Sequence, residues 1–358
     1  MKASALDLSL PVEELTAVLV DTSSVSGREG PLADLIEEAL DGRPHLTVER
    51  SGDAVVARTS GGAAQRIILA GHIDTVPVAG NLPSHVEGGR LYGCGTSDMK
   101  SGVAVQLSLA ASLTGAAYEL TYVFYDNEEV QADRNGLGRL AREHRESLDG
   151  DLAILLEPTS GLVEAGCQGT LRATICTTGR RSHSGRSWLG DNAIHAAGPV
   201  LTRLAGYRAR EVELDGCVYR EGLNAVAIAG GVAPNIIPDE CAVTVNYRFA
   251  PDHSEGSAFE HVRDVFAGFE VTLGDSAPAA PPGLSAPLAR AFVAATGKPP
   301  VAKYGWTDVA RFAGLGIPAL NFGPGDPNLA HTREEHVELV NIAACQRALQ
   351  AFLTGVLG

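Results

Sequence analysis

Apolar positions along the chain fall into two rhythms, and the change comes near residue 169. In the first stretch, PVEELTAVLVDTSS, PLADLIEEALDG, SGVAVQLSLAASL and NGLGRLAREHRESL carry their apolar residues at helical spacing, which predicts helices with a buried face. Between them, DAVVAR, RIILAGHIDTVP, YELTYVFYDNEE and DLAILLEPT are short apolar runs that predict strands, the second broken by Pro77. Nearly continuous apolar strands alternating with helices predict an α/β domain. Its mixed, mostly parallel sheet is flanked by helices on both faces.

From Gly169 the order becomes strand GTLRATICTTG, helix DNAIHAAGPVLTRLAG, strands GLNAVAIAGGV and ECAVTVNYRF, helix SAFEHVRDVFAGF and short strand EVTL. That βαββαβ succession predicts a ferredoxin-like sandwich inserted into the first domain. The segment GDSAPAAPPGL (274–284) reads as the linker back. After it, LARAFVAATG predicts a helix, PALNFGPG a strand, and a long final helix begins near Glu334. The expected organisation is a discontinuous domain of residues 1–168 and 279–358 around an inserted domain of 169–278. A chain of 358 residues also suits about two domains.

Composition narrows the function by exclusion. The formal charge of −15, from 28 basic against 43 acidic residues, argues against a phosphate-backbone partner, which needs a basic face. MKASALDLSL has no apolar core of signal-peptide length, and no run approaches the length that crosses a bilayer. The six cysteines are scattered without a C-x-x-C, which reads as isolated thiols in a reducing cytoplasm. No G-x-S-x-G elbow is present, and the Gly93–Gly95 turn is too short for a dinucleotide fingerprint.

The candidate chemistry lies where the apolar strands end. RIILAGHIDTVP runs into His72 and Asp74, YVFYDNEE into Glu128 and Glu129, and DLAILLEPT into Glu157. PALNFGPGDPNLAH passes through a Gly/Pro-rich loop to His331, and GCGTSDMKSG places Asp98 in a turn before a helix. Open α/β sheets put their sites outside the carboxyl ends of strands, and acids gathered there need a compensating charge, which a metal supplies.

The inventory closes on two divalent ions. Asp98 bridges them, His72 pairs with Glu157 on one, and His331 pairs with Glu129 on the other. Three carboxylates and a hydroxide balance two dications, and such a pair, about 3.5–4 Å apart, activates the water between them. Ligands without thiolates admit zinc, cobalt or manganese. Asp74, two residues after His72, is placed to orient the imidazole, and Glu128, left without a metal, is the general base. The other adjacent acids, Glu13–Glu14, Glu37–Glu38 and Glu334–Glu335, read as solvated faces. His336 is a competing candidate for the place given to His331.

GHIDTVP, GCGTSDMKSG, DNEEV, LLEPT and the terminal FGPG…AH together resemble the dinuclear-zinc amidohydrolases of the acetylornithine deacetylase, succinyl-diaminopimelate desuccinylase and glutamate carboxypeptidase family. The resemblance covers nearly the whole chain. It implies hydrolysis of an N-acyl amino acid, two zinc ions per subunit held by His72, Asp98, Glu129, Glu157 and His331, with Asp74 as orienter and Glu128 as base. It also implies a cis peptide at Asp98–Met99, an inserted lid and dimerisation domain, a homodimer, and His183 reaching a partner subunit's site. Within the family, GRRSHSGRSWLGDNAIH and GGVAPNIIPDE are most similar to the desuccinylase branch of actinobacterial type.

Cys94 departs from the arginine of many relatives. A substrate rich in carboxylates calls for local cations and neutral donors. The candidates are Arg181, Arg186, Arg248, Lys303 and Arg311, with Asn235 and Thr307. Against this reading stand a deacetylase of the same family, a two-metal phosphoesterase, and an inactive binding homologue.

Overall fold

The computed structural model describes residues 5–355. The chain divides into two compact units, one of Met1–Ala165, Gly283–Val301 and Arg311–Gly358, the other of Gly166–Pro282 and Ala302–Ala310. Relative to the expected boundaries, the second unit is longer at both ends and takes in residues 302–310. Hydrogen bonds between residues far apart in sequence draw that segment in. The Lys303 carbonyl accepts from Gln168 N at 3.2 Å, and Trp306 Nε1 donates to the Pro278 carbonyl at 3.0 Å.

The first unit is built on an eight-stranded sheet. At its centre, Arg66–His72 lies parallel to Glu119–Tyr125 on one side and to Leu152–Leu155 on the other, with Ala319–Asn321 parallel beyond. Antiparallel strands close one end, where Ala54–Arg58 pairs with Glu119–Tyr125 and Thr47–Ser51 with Ala54–Arg58. Every residue of Glu119–Tyr125 is buried, as expected of a strand covered on both faces. Helices Val12–Asp21, Ser101–Ser112 and Leu339–Leu353 pack on one another as a layer. The middle one is buried along most of its length, so its polar Gln106 needs partners, and it donates to the Leu69 and Val123 carbonyls at 3.0 Å each.

The second unit has a four-stranded antiparallel sheet in the order Gly222–Gly230, Glu240–Phe249, Gly169–Thr178, Glu270–Ala277. Strict alternation turns Leu171, Ala173, Ile175, Val243, Val245 and Tyr247 inward against helix residues Val200 and Val262. Three expectations are corrected here. Strand Glu270–Ala277 runs on past a bulge at Leu273/Asp275 into the supposed linker. The helix expected over DNAIHAAGPVLTRLAG divides into Ala193–Ala196 and Gly198–Ala205. In the first unit, the final helix starts at Leu339 because His336–Glu338 pairs as a strand with Arg90–Tyr92. No helix among the described residues is long and apolar enough to cross a membrane.

Two glycines set the position of the Leu156–Glu157 backbone. A Cβ on Gly102 would lie 2.2 Å from the Leu156 carbonyl oxygen, and one on Gly323 would lie 2.3 and 2.4 Å from the carbonyls of Leu156 and Glu157. Backbone on both sides leaves nothing free to yield. A helical Gly→Ala change ordinarily gains about 0.5–1 kcal/mol. For Gly102→Ala we expect the opposite, a loss of about 1–3 kcal/mol from overpacking, read as a lower denaturant midpoint at unchanged m value.

Candidate metal centre

Apart from Asp98, each side chain of the cluster is delivered by the end of a buried strand or by the turn or loop after it. His72 closes Arg66–His72, Glu128 and Glu129 follow Glu119–Tyr125, Glu157 follows Leu152–Leu155, and His331 comes from the loop after Ala319–Asn321. Because these strands are parallel neighbours, their carboxyl ends lie side by side. Asp98 arrives separately, from the glycine-rich turn that enters helix Ser101–Ser112, and the Asp98–Met99 peptide is cis.

Two triads of ligand atoms form at this edge, His72–Asp98–Glu157 and Asp98–Glu129–His331, with the atoms of each triad within 4.8 Å of one another. Asp98 belongs to both. His72 Nε2 is 3.1 Å from Asp98 Oδ1, while His331 Nε2 is 2.8 Å from Glu129 Oε1 and 3.5 Å from Asp98 Oδ2. Glu128 groups with His72 and Glu129 within the same 4.8 Å limit, so its carboxylate stands beside the cluster. His336 goes elsewhere, its ring 4.7 Å from Tyr92 and its Nδ1 2.7 Å from the Glu334 carbonyl.

Charge is the governing term. Burial alone would lower the pKa of His72, but Asp74 and Asp98 more than offset this and raise it well above the usual imidazole value. Hydrogen bonds from its ring to the Asp98 and Glu129 carboxylates push His331 up to about 10. Burial would raise Asp98, yet His331 and His72 hold it below the ordinary carboxylate range. The carboxylates thus call for positive charge from every neighbour. Oxygen and imidazole donors in two triads with one shared carboxylate fit a pair of divalent cations. Cys94 adds no thiolate, since burial pushes its pKa up and its Sγ faces the Val76 carbonyl at 3.6 Å.

His72 Nδ1 is closer to the Asp74 carbonyl oxygen, at 3.1 Å, than to its Oδ1, at 3.4 Å. The carboxylate mainly accepts other donors: Glu128 N at 3.0 Å, Glu129 N at 3.1 Å and the Ser26 hydroxyl at 2.7 Å. Just before them Asn127 takes φ 58°, a left-handed conformation that asparagine tolerates. There the chain leaves strand geometry, so Glu128 and Glu129 both reach the site instead of alternating away from it.

The residue that sequence reasoning passed over is Glu335. Far from facing solvent, it is 2% exposed, and its carboxylate accepts Gly95 N at 2.9 Å, Ser97 N at 2.9 Å and Asp98 N at 3.0 Å. Burial pushes its pKa up to about 7 in spite of those three donors. Nothing in the Glu334–Glu335 doublet distinguishes the buried acid from the wet one, because its partners are more than two hundred residues away in sequence.

His183, Asn235, Arg248 and Thr307 belong to the second unit. His183 Nδ1 accepts from Gly185 N, and the next residue, Ser184, donates its N–H to the Asn235 carbonyl at 2.8 Å, so His183 and Asn235 are neighbours. Arg248 is half-buried on strand Glu240–Phe249, and Thr307 is buried, its carbonyl accepting from Cys167 Sγ at 3.7 Å. Arg181 is already engaged, with two nitrogens on Asp239 Oδ1.

A sheet-edge cluster of this kind, with the Glu128 carboxylate beside two metal-type triads, defines a class of hydrolase. The family model described as Peptidase family M20/M25/M40 matches residues 68–355. The chain belongs to that family, and its chemistry is amide hydrolysis. It is 57% identical over 353 residues to a Mycobacterium tuberculosis protein named putative succinyl-diaminopimelate desuccinylase DapE, covering 98% of this chain and 100% of the other. It is 48% identical to the succinyl-diaminopimelate desuccinylase of Corynebacterium glutamicum, covering 95% of each. Among solved structures it is similar to a tripeptidase from Staphylococcus aureus, with TM-score 0.78, 20% identity and coverage of 99% and 100%. A dinuclear metal binding peptidase of the M20 family from Bacillus subtilis gives TM-score 0.70, 17% identity and 97% coverage of each chain.

Glu335→Ala strips three N–H donors of their acceptor at the turn that carries Asp98. We expect metal affinity to fall about 10–100-fold, read by titration against a competing chromophoric chelator. Parent-like affinity would show that Asp98 keeps its place without Glu335.

Proposed function

We propose that this chain is a succinyl-diaminopimelate desuccinylase. It hydrolyses N-succinyl-LL-2,6-diaminopimelate to LL-2,6-diaminopimelate and succinate. The observation that carries the reaction class is the pair of triads sharing Asp98 with Glu128 left beside them. The acyl group and amine follow the names of the two relatives that match it over nearly their whole length.

His72, Asp98 and Glu157 would hold one divalent ion, and Asp98, Glu129 and His331 the other, with zinc as the metal we assign. Such ions, when bound, polarise the acyl carbonyl and lower the pKa of a water between them. The chain's own contribution is the proton path. Glu128 takes the proton from the attacking water and returns it to the amine nitrogen as the C–N bond breaks. Asp74 fixes both ends of the arrangement: its carbonyl faces His72 Nδ1, and its carboxylate holds the Glu128 and Glu129 amides. Arg248, half-buried on its strand and pushed down in pKa by that burial, is the cation we assign to a substrate carboxylate. Asn235 and Thr307 are assigned as neutral donors.

We also infer a homodimer, in which His183 serves the partner subunit's reaction centre. Strand Gly222–Gly230 is the edge of its sheet and exposes Val226 at 57% and Ile228 at 53%. A long apolar edge without lysine or proline is a pairing surface unless something covers it. Val226→Lys should therefore convert a dimer into a monomer in light scattering. A parent already monomeric at micromolar concentration would remove the assignment.

Turnover of N-succinyl-LL-diaminopimelate and N-acetylornithine by metal-reconstituted enzyme, with a chelated control, tests the function. We expect hydrolysis of the succinyl substrate only when metal is present. Glu128→Gln should lower kcat by about 10²–10⁴-fold while metal content stays unchanged. Preference for acetylornithine would overturn the substrate, and phosphate release from simple esters without amide cleavage would overturn the reaction class.

A further inference from the structure

Glu29 lies in SGREGPLAD, immediately before helix Gly30–Leu40, and its side chain caps nothing there. It is 0% exposed, and an acid so buried is costly unless donors meet it. Two do, both at the same oxygen: Oε1 accepts Gly27 N at 2.9 Å and Asn127 N at 3.1 Å. The other oxygen, Oε2, is buried without a hydrogen-bond partner. Burial and the nearby charge of Asp74 push the carboxyl pKa up, although the Gly27 and Asn127 amides oppose this.

The Asn127 contact completes a pattern. Asp74 accepts the amides of Glu128 and Glu129, so three consecutive N–H groups all end on buried carboxylates. These are the amides of the turn that starts at the left-handed Asn127. Asp74 is tied to the cluster through His72, whereas Glu29 is fixed from outside it. Its own carbonyl accepts Leu32 N and Ala33 N at 2.9 Å each, and Leu32, Ala33 and Ile36 are wholly buried. The turn is thus clamped between an element that belongs to the cluster and a helix that does not.

We propose that Glu29 is a positioning residue, anchoring the 127–129 turn through the Asn127 amide so that Glu128 is held at proton-transfer distance from the reacting water. The proposal rests on Glu128 being the base. A general base displaced by about 1 Å can lose about 10²-fold in rate, without any change in what binds the substrate. Because a single oxygen makes the grip, reach matters here and charge does not. Gln places a carbonyl oxygen where Oε1 lies, whereas Asp keeps the charge but withdraws the oxygen by about 1.5 Å, one C–C bond.

The experiment compares Glu29→Asp and Glu29→Gln with the parent by steady-state kinetics and by hydrogen–deuterium exchange of the peptide spanning 124–131. For Glu29→Asp we expect kcat lower by about 10–100-fold, KM within about twofold and faster amide exchange at 127–129. Glu29→Gln should keep kcat within about threefold and retain parent-like protection. A role in packing alone would lower the melting temperature of both variants without separating their kcat values, and that result overturns the proposal. So does the reverse order, with Asp active and Gln impaired, because charge would then be what matters. The exchange measurement needs no substrate. If the parent fails to hydrolyse the succinyl compound, the assigned function falls, while faster exchange in Glu29→Asp still supports the anchoring. Unchanged exchange in that variant overturns it whatever the substrate.

Discussion

Carboxylates that repel one another are gathered at one edge of the first unit's sheet, and the fold around them depends on how that repulsion is met. Imidazoles answer part of it, His72 and His331 both being held toward their charged form by adjacent acids. The backbone answers the rest. Asp74 takes two amides, Glu335 three and Glu29 two. Backbone donors are fixed by the fold and cost no side-chain entropy at the site, so a carboxylate that binds them is held in place and also holds the turn it binds. The same bonds therefore stabilise the buried acids and set the geometry of the cluster.

That division of labour explains what could be read from the sequence. His72, Glu129 and Glu157 were legible because each ends an apolar run, and strands of a parallel sheet deliver their ends to one edge. Asp98 and His331 were legible from their glycine-rich turns. The acids that bind backbone were not. Glu335 sits in a doublet indistinguishable from Glu13–Glu14, and its partners Gly95, Ser97 and Asp98 come close only when the sheet has formed. Periodicity reports which side of an element is buried and says nothing about which distant amides wait there. The fold misreadings have the same origin: His336–Glu338 becomes a strand only because Arg90–Tyr92 is beside it, against the helical pattern of its neighbours.

The second unit follows a different logic. Its alternating strands put apolar residues inward with a regularity that sequence period alone conveys. What period does not convey is the outer edge. Along Gly222–Gly230 nearly every residue is exposed, and Val226 occupies the bulge between Ala225 and Ala227. An edge strand left apolar is a liability in isolation, which is the ground for the dimer proposed above. In the same unit Arg210 is saturated by Glu221 and Asp252, whereas Arg248 is half-buried on an interior strand, which is why it is the guanidinium proposed for a ligand carboxylate.

The adjacent glutamates at 128 and 129 show why neither local pattern nor composition is enough. On an ideal strand, alternation would send them to opposite faces. They reach the same cluster because Asn127 turns left-handed and because Asp74 then receives both of their amides. One carboxylate closes a triad with Asp98 and His331, and the other is left beside it. In the proposed assignment, the difference between ligand and base is set by one residue of backbone displacement within a turn whose N–H groups end on the buried carboxylates of Asp74 and Glu29.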